Sequence, residues 1–340
     1  MLKNPNYRRA KREYSQEIRR TFQIAFLLLN VWICVEFYRW VRFYETASAG
    51  AAPSRPPGVE GWLPIASLMN LKVFLLTGLF PDIHPAGLFL LLAFIAMSWL
   101  LRKSFCSWLC PVGAISEFLW TYGKKTFRRN LRIPRVGDIA LRFLKYILLG
   151  LFLYAVASMP VAGIQAFLGG PYGVVADVKM LNFFRFLGLT GMIVIVVISA
   201  GSIFIQNFWC RYLCPYGALF GLLSKLSPLK IKREVSLCID CAKCAKACPS
   251  GLAVDKLVTI GSVECTGCMR CVTSCPSEGA LHMSIAGGKK SVPAWAIATG
   301  VAVIFLGVVL YARITGHWQT DLPQDVFRAL VPHANEFSHP

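Results

Sequence analysis

The chain contains no C-x-x-C-H, so covalently attached c-type haem is not expected. Histidine is scarce, at five in 340 residues, and no two share an apolar run, so b-type haem is not expected either. There is no Walker A sequence and no G-x-G-x-x-G after a strand, which leaves nucleotide binding without support. Acidic residues are few: 17 against 36 basic ones, for a formal net charge of +19. Such an excess can serve nucleic acid. Here the basic residues flank apolar blocks, where membrane topology uses them, so no nucleic-acid partner is expected. Disulfides are excluded as the role of the cysteines, because their regular C-x-x-C spacing reads as metal ligation.

Apolar residues are abundant: 56% of the chain, with a mean hydropathy of +0.54, above the usual soluble domain. A helix needs about 20 apolar residues to cross the bilayer core. Five segments qualify as spans, near 21–44, 85–102, 142–160, 186–209 and 291–313. The run from Tyr146 to Ala176 carries no charge, and Pro160 and Gly169-Gly170-Pro171 are expected to end its helix. Segment 61–80, broken by Pro64, Lys72 and Gly78, reads as interfacial or re-entrant on the outer face. Residues 1–20, 102–138 and 209–290 hold 26 Lys and Arg, and the alternate segments 43–84, 160–185 and 313–340 hold six. The positive-inside rule then puts the basic N-terminus (1–20) and the cysteine-rich region in the cytoplasm and the tail 314–340 outside. Ala47-Ser48-Ala49 has the form of a signal-peptide cleavage site, but the charged stretch Glu36–Glu45 before it favours a retained anchor.

Twelve of the 13 cysteines fall in motifs; Cys34 stands alone. Cys238-x2-Cys241-x2-Cys244-x3-Cys248-Pro249 is followed by Cys265-x2-Cys268-x2-Cys271-x3-Cys275-Pro276. Both match the bacterial ferredoxin run, in which the fourth cysteine serves the other cluster. One [4Fe–4S] cluster is therefore assigned to Cys238, Cys241, Cys244 and Cys275. A second is assigned to Cys265, Cys268, Cys271 and Cys248. Structural zinc also uses four Cys or His ligands, but does not require the doubled spacing with a proline after each fourth cysteine. The module is expected over 229–286, between a membrane domain at 21–228 and the last span.

A second constellation repeats at an offset of 104 residues: Phe105-Cys106-x-Trp108-Leu-Cys110-Pro111-x-Gly113-Ala, then Trp209-Cys210-x-Tyr212-Leu-Cys214-Pro215-x-Gly217-Ala. Each copy follows an inward-running span, which implies two alike two-span units about a pseudo-twofold axis along the membrane normal. Proline at the first helical position would place Cys110 and Cys214 at helix N-termini, where positive partial charge favours thiolate. Cys106, Cys110, Cys210 and Cys214 are expected to converge. Three readings stay open for them: a third Fe–S cluster, a quinone-facing redox-thiol site, or buried thiols in helix packing. His84 borders a span and is a candidate for helix capping or for a quinone oxygen.

At these residues the chain resembles the NapH/NosR-type membrane ferredoxins. Gly61-Trp62-Leu63-Pro64-Ile65 through Ile83-His84-Pro85-Ala86-Gly87 is similar to the nitrous-oxide-reductase regulator branch. The resemblance implies a mainly α polytopic bundle with a small cytoplasmic α+β dicluster ferredoxin domain, in a bacterial cytoplasmic membrane. It further implies electron exchange between a quinone or cytoplasmic donor and membrane or periplasmic redox partners. The flavin domain that precedes the membrane part in that branch has no counterpart in the residues before the first span, so covalent FMN is not expected. A maturation or regulatory factor delivering reducing equivalents to a metalloenzyme or metal ion is the alternative function. A pure redox sensor would need an output domain, and no segment resembles one.

Overall fold

The computed structural model describes residues 7–10, 13–46, 48, 50–128, 130–131, 133–285 and 291–339. Part of the basic N-terminus, Ala47 and Ala49 of the cleavage-like site, the end of segment 229–286 and Pro340 lie outside the described residues. The chain forms two units: residues 1–27, 94–149 and 198–304 make the first, and 28–93, 150–197 and 305–340 the second. All twelve motif cysteines belong to the first unit.

Most of the chain is helical, because long runs of apolar residues without charge satisfy their backbone groups internally only as helix. In order these are α1 (Ser15–Glu45), α2 (Pro64–Thr77), α3 (Pro85–Leu100), α4 (Pro111–Phe127) and α5 (Arg135–Ser158). Then come α6 (Val161–Gly169), α7 (Pro171–Val174), α8 (Ala176–Arg185), α9 (Leu189–Phe204) and α10 (Pro215–Ser224). The ferredoxin-like segment holds β1 (Leu229–Arg233), α11 (Lys243–Ala247), β2 (Thr259–Ile260), α12 (Arg270–Thr273) and β3 (Leu281–Ile285). The last helices are α13 (Ala294–Ile314) and α14 (Gln324–Leu330).

Among the described residues, three helices are long and apolar enough to cross a membrane: Ser15–Glu45, Val136–Ser158 and Ala294–Ile314. A fourth arises if α8 and α9 count as one span, but they meet at a bend of 81°. The helix found where 186–209 was expected is α9, only 16 residues long, and the polar α8 precedes it across the Phe186–Gly188 break. α3 is apolar but only 16 residues long. That is about 24 Å at the helical rise, short of the hydrocarbon thickness. The uncharged run from Tyr146 does break where Pro160 and Gly170 stand, as α5 ends at Ser158 and α6 at Gly169. Segment 61–80 contains the 14-residue helix α2, closed by Gly78 in the left-handed conformation with φ of 73°.

In the first unit, β1 is the central strand of a three-stranded antiparallel sheet, order β2-β1-β3. Ile231 pairs with Ile260 on one side and Met283 on the other, and all three are buried. In the second unit, one core joins Phe37, Trp40, Val41 and Tyr44 of α1 to Val174, Val175, Val178, Phe327 and Val331. A second core gathers Met69, Val73, Val156, Ile164 and Leu168.

Candidate functional site: paired cysteine turns beside a ferredoxin fold

The two repeated motifs fold alike. Residues Phe105–Leu109 and Trp209–Leu213 each form one π-turn. Cys110 N–H donates to Phe105 O at 2.9 Å, and Cys214 N–H to Trp209 O at 3.0 Å. Such a turn is common where a site must be aimed. The second cysteine of each copy is then the N-cap of the next helix, with proline at its first position. The Gly-Ala that follows has a steric reason. A Cβ on Gly113 would collide with the Cys106 carbonyl, and one on Gly217 would lie 3.1 Å from the Cys210 carbonyl. Trp108 and Tyr212, the aromatic residues inside the turns, are both buried.

These four cysteines act on one another electrostatically: Cys210 feels Cys214, Cys110 and Cys106, and Cys106 feels Cys214. The thiolate expected at the helix N-termini is not supported for the bare protein. Burial pushes the Cys106 thiol up to about 11 and the Cys110 thiol up to about 12. The amides of Gly113 and Val112 pull Cys110 down, but less than desolvation raises it.

The two ferredoxin motifs also share one backbone. Asp240 and Gly267, each two residues after its first cysteine, have positive φ of 49° and 64°. Ala242 and Met269, two residues further on, repeat this at 54° and 57°. The left-handed steps wrap each loop tightly and start α11 and α12. Cys248 and Cys265, Cys268 and Cys271 line one cavity together with Ile231, Leu252, Val254 and Ile260. Four sulfur donors gathered among apolar side chains suit a [4Fe–4S] cluster. Burial raises the Cys248 thiol to about 12, with Cys268 and Cys265 beside it. Cys275 feels Cys241 and Cys238, and Cys244 feels Cys275. The fourth cysteine of each motif therefore stands with the other motif's three. Among the described residues, no three His, Cys, Asp or Glu close around a single-ion position. Ligands of a cubane bind separate irons and stand wider apart.

Exposure separates the two sets. Cys265 and Cys271 are buried, whereas Cys238 and Cys241 are partly accessible. The buried loop rests on the first π-turn. Ser107 Oγ donates to Thr266 O at 2.6 Å, and Trp108 Nε1 to Gly267 O at 3.5 Å. The foot of α1 joins them. Gln16 Nε2 donates to Cys268 O at 2.9 Å, and Gln23 Nε2 to Ser107 O at 3.0 Å. Arg19, fully buried, donates to Ser107 O at 3.1 Å and holds both Glu117 oxygens, at 2.6 and 2.5 Å. Arg270 pairs with the same carboxylate at 3.1 Å.

The sequence did not disclose a buried ionic network in the second unit. Arg55 pairs with Glu60 at 2.8 Å and Asp177 at 2.6 Å. His84 Nε2 donates to Gly173 O at 2.8 Å, and its Nδ1 faces Glu60 Oε1 at 3.6 Å. Asn70 Nδ2 donates to the carbonyls of Ile83 and His84, at 2.9 and 3.1 Å. His84 is buried with both ring nitrogens facing protein groups.

Comparison with known proteins gives the same picture. A 4Fe-4S binding domain matches residues 83–134 and again 184–234, each match enclosing one repeated motif. A 4Fe-4S dicluster domain matches 230–276. YccM of Escherichia coli K12, whose name assigns it to electron transport, is 49% identical over 326 residues, covering 94% of this chain and 91% of that protein. The regulatory protein NosR of Pseudomonas aeruginosa is 32% identical over 165 residues, 47% of this chain and 22% of its own. The ferredoxin-type protein NapH of Haemophilus influenzae is 28% identical over 153 residues, 43% of this chain and 47% of its own. No solved structure matches. With half of its residues shared with YccM along nearly the whole chain, and iron–sulfur domains matched at every motif, the protein belongs to the NapH/NosR-type family of iron–sulfur membrane electron-transfer proteins.

Proposed function

We propose that this chain relays single electrons between a soluble donor and the membrane through three sulfur-lined stations in series. Cys238, Cys241, Cys244 and Cys275 hold a first [4Fe–4S] cluster, and Cys265, Cys268, Cys271 and Cys248 hold a second. Cys106, Cys110, Cys210 and Cys214 form the third station. A [4Fe–4S] cluster, when bound, takes up and gives back one electron at a time. The observation that carries the order is the seating of the Cys265–Cys271 loop on the Phe105–Leu109 turn, through Ser107 and Trp108. The partly accessible Cys238 set is then the outer terminal, and the Cys265 set, in which Cys265 and Cys271 are buried, is the middle one. Cys275 also lines an open cleft of about 700 Å³ with Arg9, Arg20 and Lys243, where a donor can approach.

In this reading α1, α3, α5, α9 and α13 mark the five spans near 21–44, 85–102, 142–160, 186–209 and 291–313, and the repeated motifs end two alike two-span units on a pseudo-twofold axis. The ferredoxin segment 229–286 and residues 1–20 face the cytoplasm, and 314–340 faces outward, as the basic asymmetry directs. No cysteine motif belongs to the second unit. A quinone or a partner protein's cofactor is therefore needed to carry electrons further, and the membrane or periplasmic redox partner receives them. The experiment is iron and sulfide content with EPR on the purified protein. Three clusters per chain support the relay; two would remove the third station. Cys248→Ser should abolish the signal of the Cys265, Cys268 and Cys271 set and spare the other. Loss of the Cys238 set alone would refute the crossed assignment.

A further inference from the structure

The chain ahead of α1 lies along the second ferredoxin motif. Arg9 forms an antiparallel bridge with Ser277. Ala10 N–H donates to Pro276 O at 2.9 Å, and Glu278 N–H donates to Arg8 O at 2.8 Å. Residues 7–10 thus lay an arm of extended backbone along the turn that follows Cys275. The foot of α1 continues the contact. The Ser15 and Thr273 hydroxyls hydrogen-bond at 2.8 Å, and Gln16 reaches the Cys268 carbonyl.

The far side of the same turn faces the first motif. Ser277, 3% exposed, donates its Oγ–H to Leu237 O at 2.7 Å, one residue before Cys238. Glu234 N–H donates to Ala280 O at 2.9 Å. Cys275 Sγ lies 3.5 Å from Ser277 O. The turn behind Cys275 is therefore clasped between the arm and the segment that leads into Cys238. Cys238, Cys241 and Cys244 lie in one short loop, whose spacing alone suits them to wrap a cluster. Cys275 comes from the other motif, so its place beside them depends on what holds its turn. The two sets also differ in their surroundings. Cys248 and its partners sit among Ile231, Leu252, Val254 and Ile260, whereas Cys275 lines the open cleft together with Arg9 and Ala10 of the arm.

We propose that the N-terminal arm, residues 7–10, is a positioning element for the outer terminal: by pairing with Pro276 and Glu278 it keeps Cys275 on the cluster of Cys238, Cys241 and Cys244, and so keeps the entry point for electrons occupied. The inference rests on the relay reading above. When the turn opens, the bond between Cys275 sulfur and iron breaks, and water or a chelator takes the vacated position on iron. No electron moves in that exchange. The arm touches neither the donor's electron nor the cluster; it acts through Cys275.

The test is iron release to a chelator from the whole protein in detergent, without oxygen, followed by EPR signal by signal. The outer signal is identified as the one that survives in Cys248→Ser. Proline has no N–H, so Ala10→Pro removes the bond to Pro276 O while every cysteine stays in place. Loss of the outer signal should become about tenfold faster, equal to about 1.4 kcal/mol, the upper range for one hydrogen bond. The signal of the Cys265 set should decay at the wild-type rate. Ala10→Ser keeps the N–H and should match wild type for both. If Ala10→Pro fails to accumulate, Glu278→Pro removes the other main-chain bond from the ferredoxin side and should give the same selective loss. An unchanged outer rate, or equal acceleration of both signals, overturns the proposal and leaves the relay standing. A Cys248→Ser protein with no surviving ferredoxin-type signal overturns the two-cluster assignment, and the relay and this proposal with it.

Discussion

Arg19→Met perturbs the seam between the foot of α1, the first π-turn and the buried ferredoxin loop. Arg19 makes two charge-assisted hydrogen bonds to Glu117, at 2.5 and 2.6 Å, and one to the Ser107 carbonyl at 3.1 Å. Removing one partner of a buried ion pair costs about 3–5 kcal/mol when the other is stranded. Glu117 is not fully stranded here. Arg270 stays at 3.1 Å and Gln23 at 3.2 Å, and its side chain keeps 18% exposure. The cost should therefore settle near 2–3 kcal/mol, about what one or two charge-assisted bonds contribute. Met keeps most of the packing volume, so the loss is chiefly electrostatic. At about 1.4 kcal/mol per tenfold, local opening of the seam becomes about 30- to 150-fold more frequent. Amide hydrogen exchange with peptide-level readout should show this acceleration at Phe105–Leu109 and at the Cys265–Cys271 loop together. The cycle with Glu117→Gln should leave a coupling above about 1.5 kcal/mol. A change below about 0.5 kcal/mol, the scale of an ordinary surface substitution, would show that Arg19 does not hold the seam.

Gly113→Ala should cost more than Gly217→Ala. Its Cβ meets a backbone carbonyl inside van der Waals distance, while that of Gly217 has 3.1 Å. Iron content per chain should fall in the first and hold in the second, and equal losses would contradict the steric argument. A periplasm-dependent reporter fused after Pro340 should be active and one fused near Ser236 inactive; the reverse pattern refutes the orientation. His84 supplies a pH dependence. Burial lowers its pKa, but the Glu60 hydrogen bond and charge raise it more, so the folded value lies above the ordinary one. Its stabilisation is then complete below about pH 6.5 and is lost as pH rises through the folded value. Thermal denaturation should show stability falling over that interval in wild type and flattened in His84→Gln. Parallel curves would dismiss the His84–Glu60 link.

Cysteine spacing made the metal-binding segments legible, because ligand geometry is local: three thiolates within seven residues wrap one cluster whatever surrounds them. The helix after Cys110 was legible for the same reason, since Pro111 marks a first turn from its own chemistry. The π-turns were not, because their extra residue leaves no mark on hydropathy. The Arg55–Asp177 pair joins residues 122 apart in sequence, and Lys103 meets Gly221 from a similar distance, so only folding brings either together. The thiol shifts went against expectation at Cys110 and Cys214, because a helix N-terminus is read from sequence but the depth of burial is not.

The graded exposure of the cysteine sets has a consequence for survival as well as for conduction. Dissolved oxygen and peroxide come from water and meet the partly accessible Cys238 and Cys241 before the buried Cys265 and Cys271. Damage would proceed from the rim inward, with the outer terminal behaving as a fuse. In the relay proposed above, its loss would cut off soluble donors while the inner stations stayed shielded. A cell that can rebuild the outer terminal would then restore the current without replacing the membrane protein.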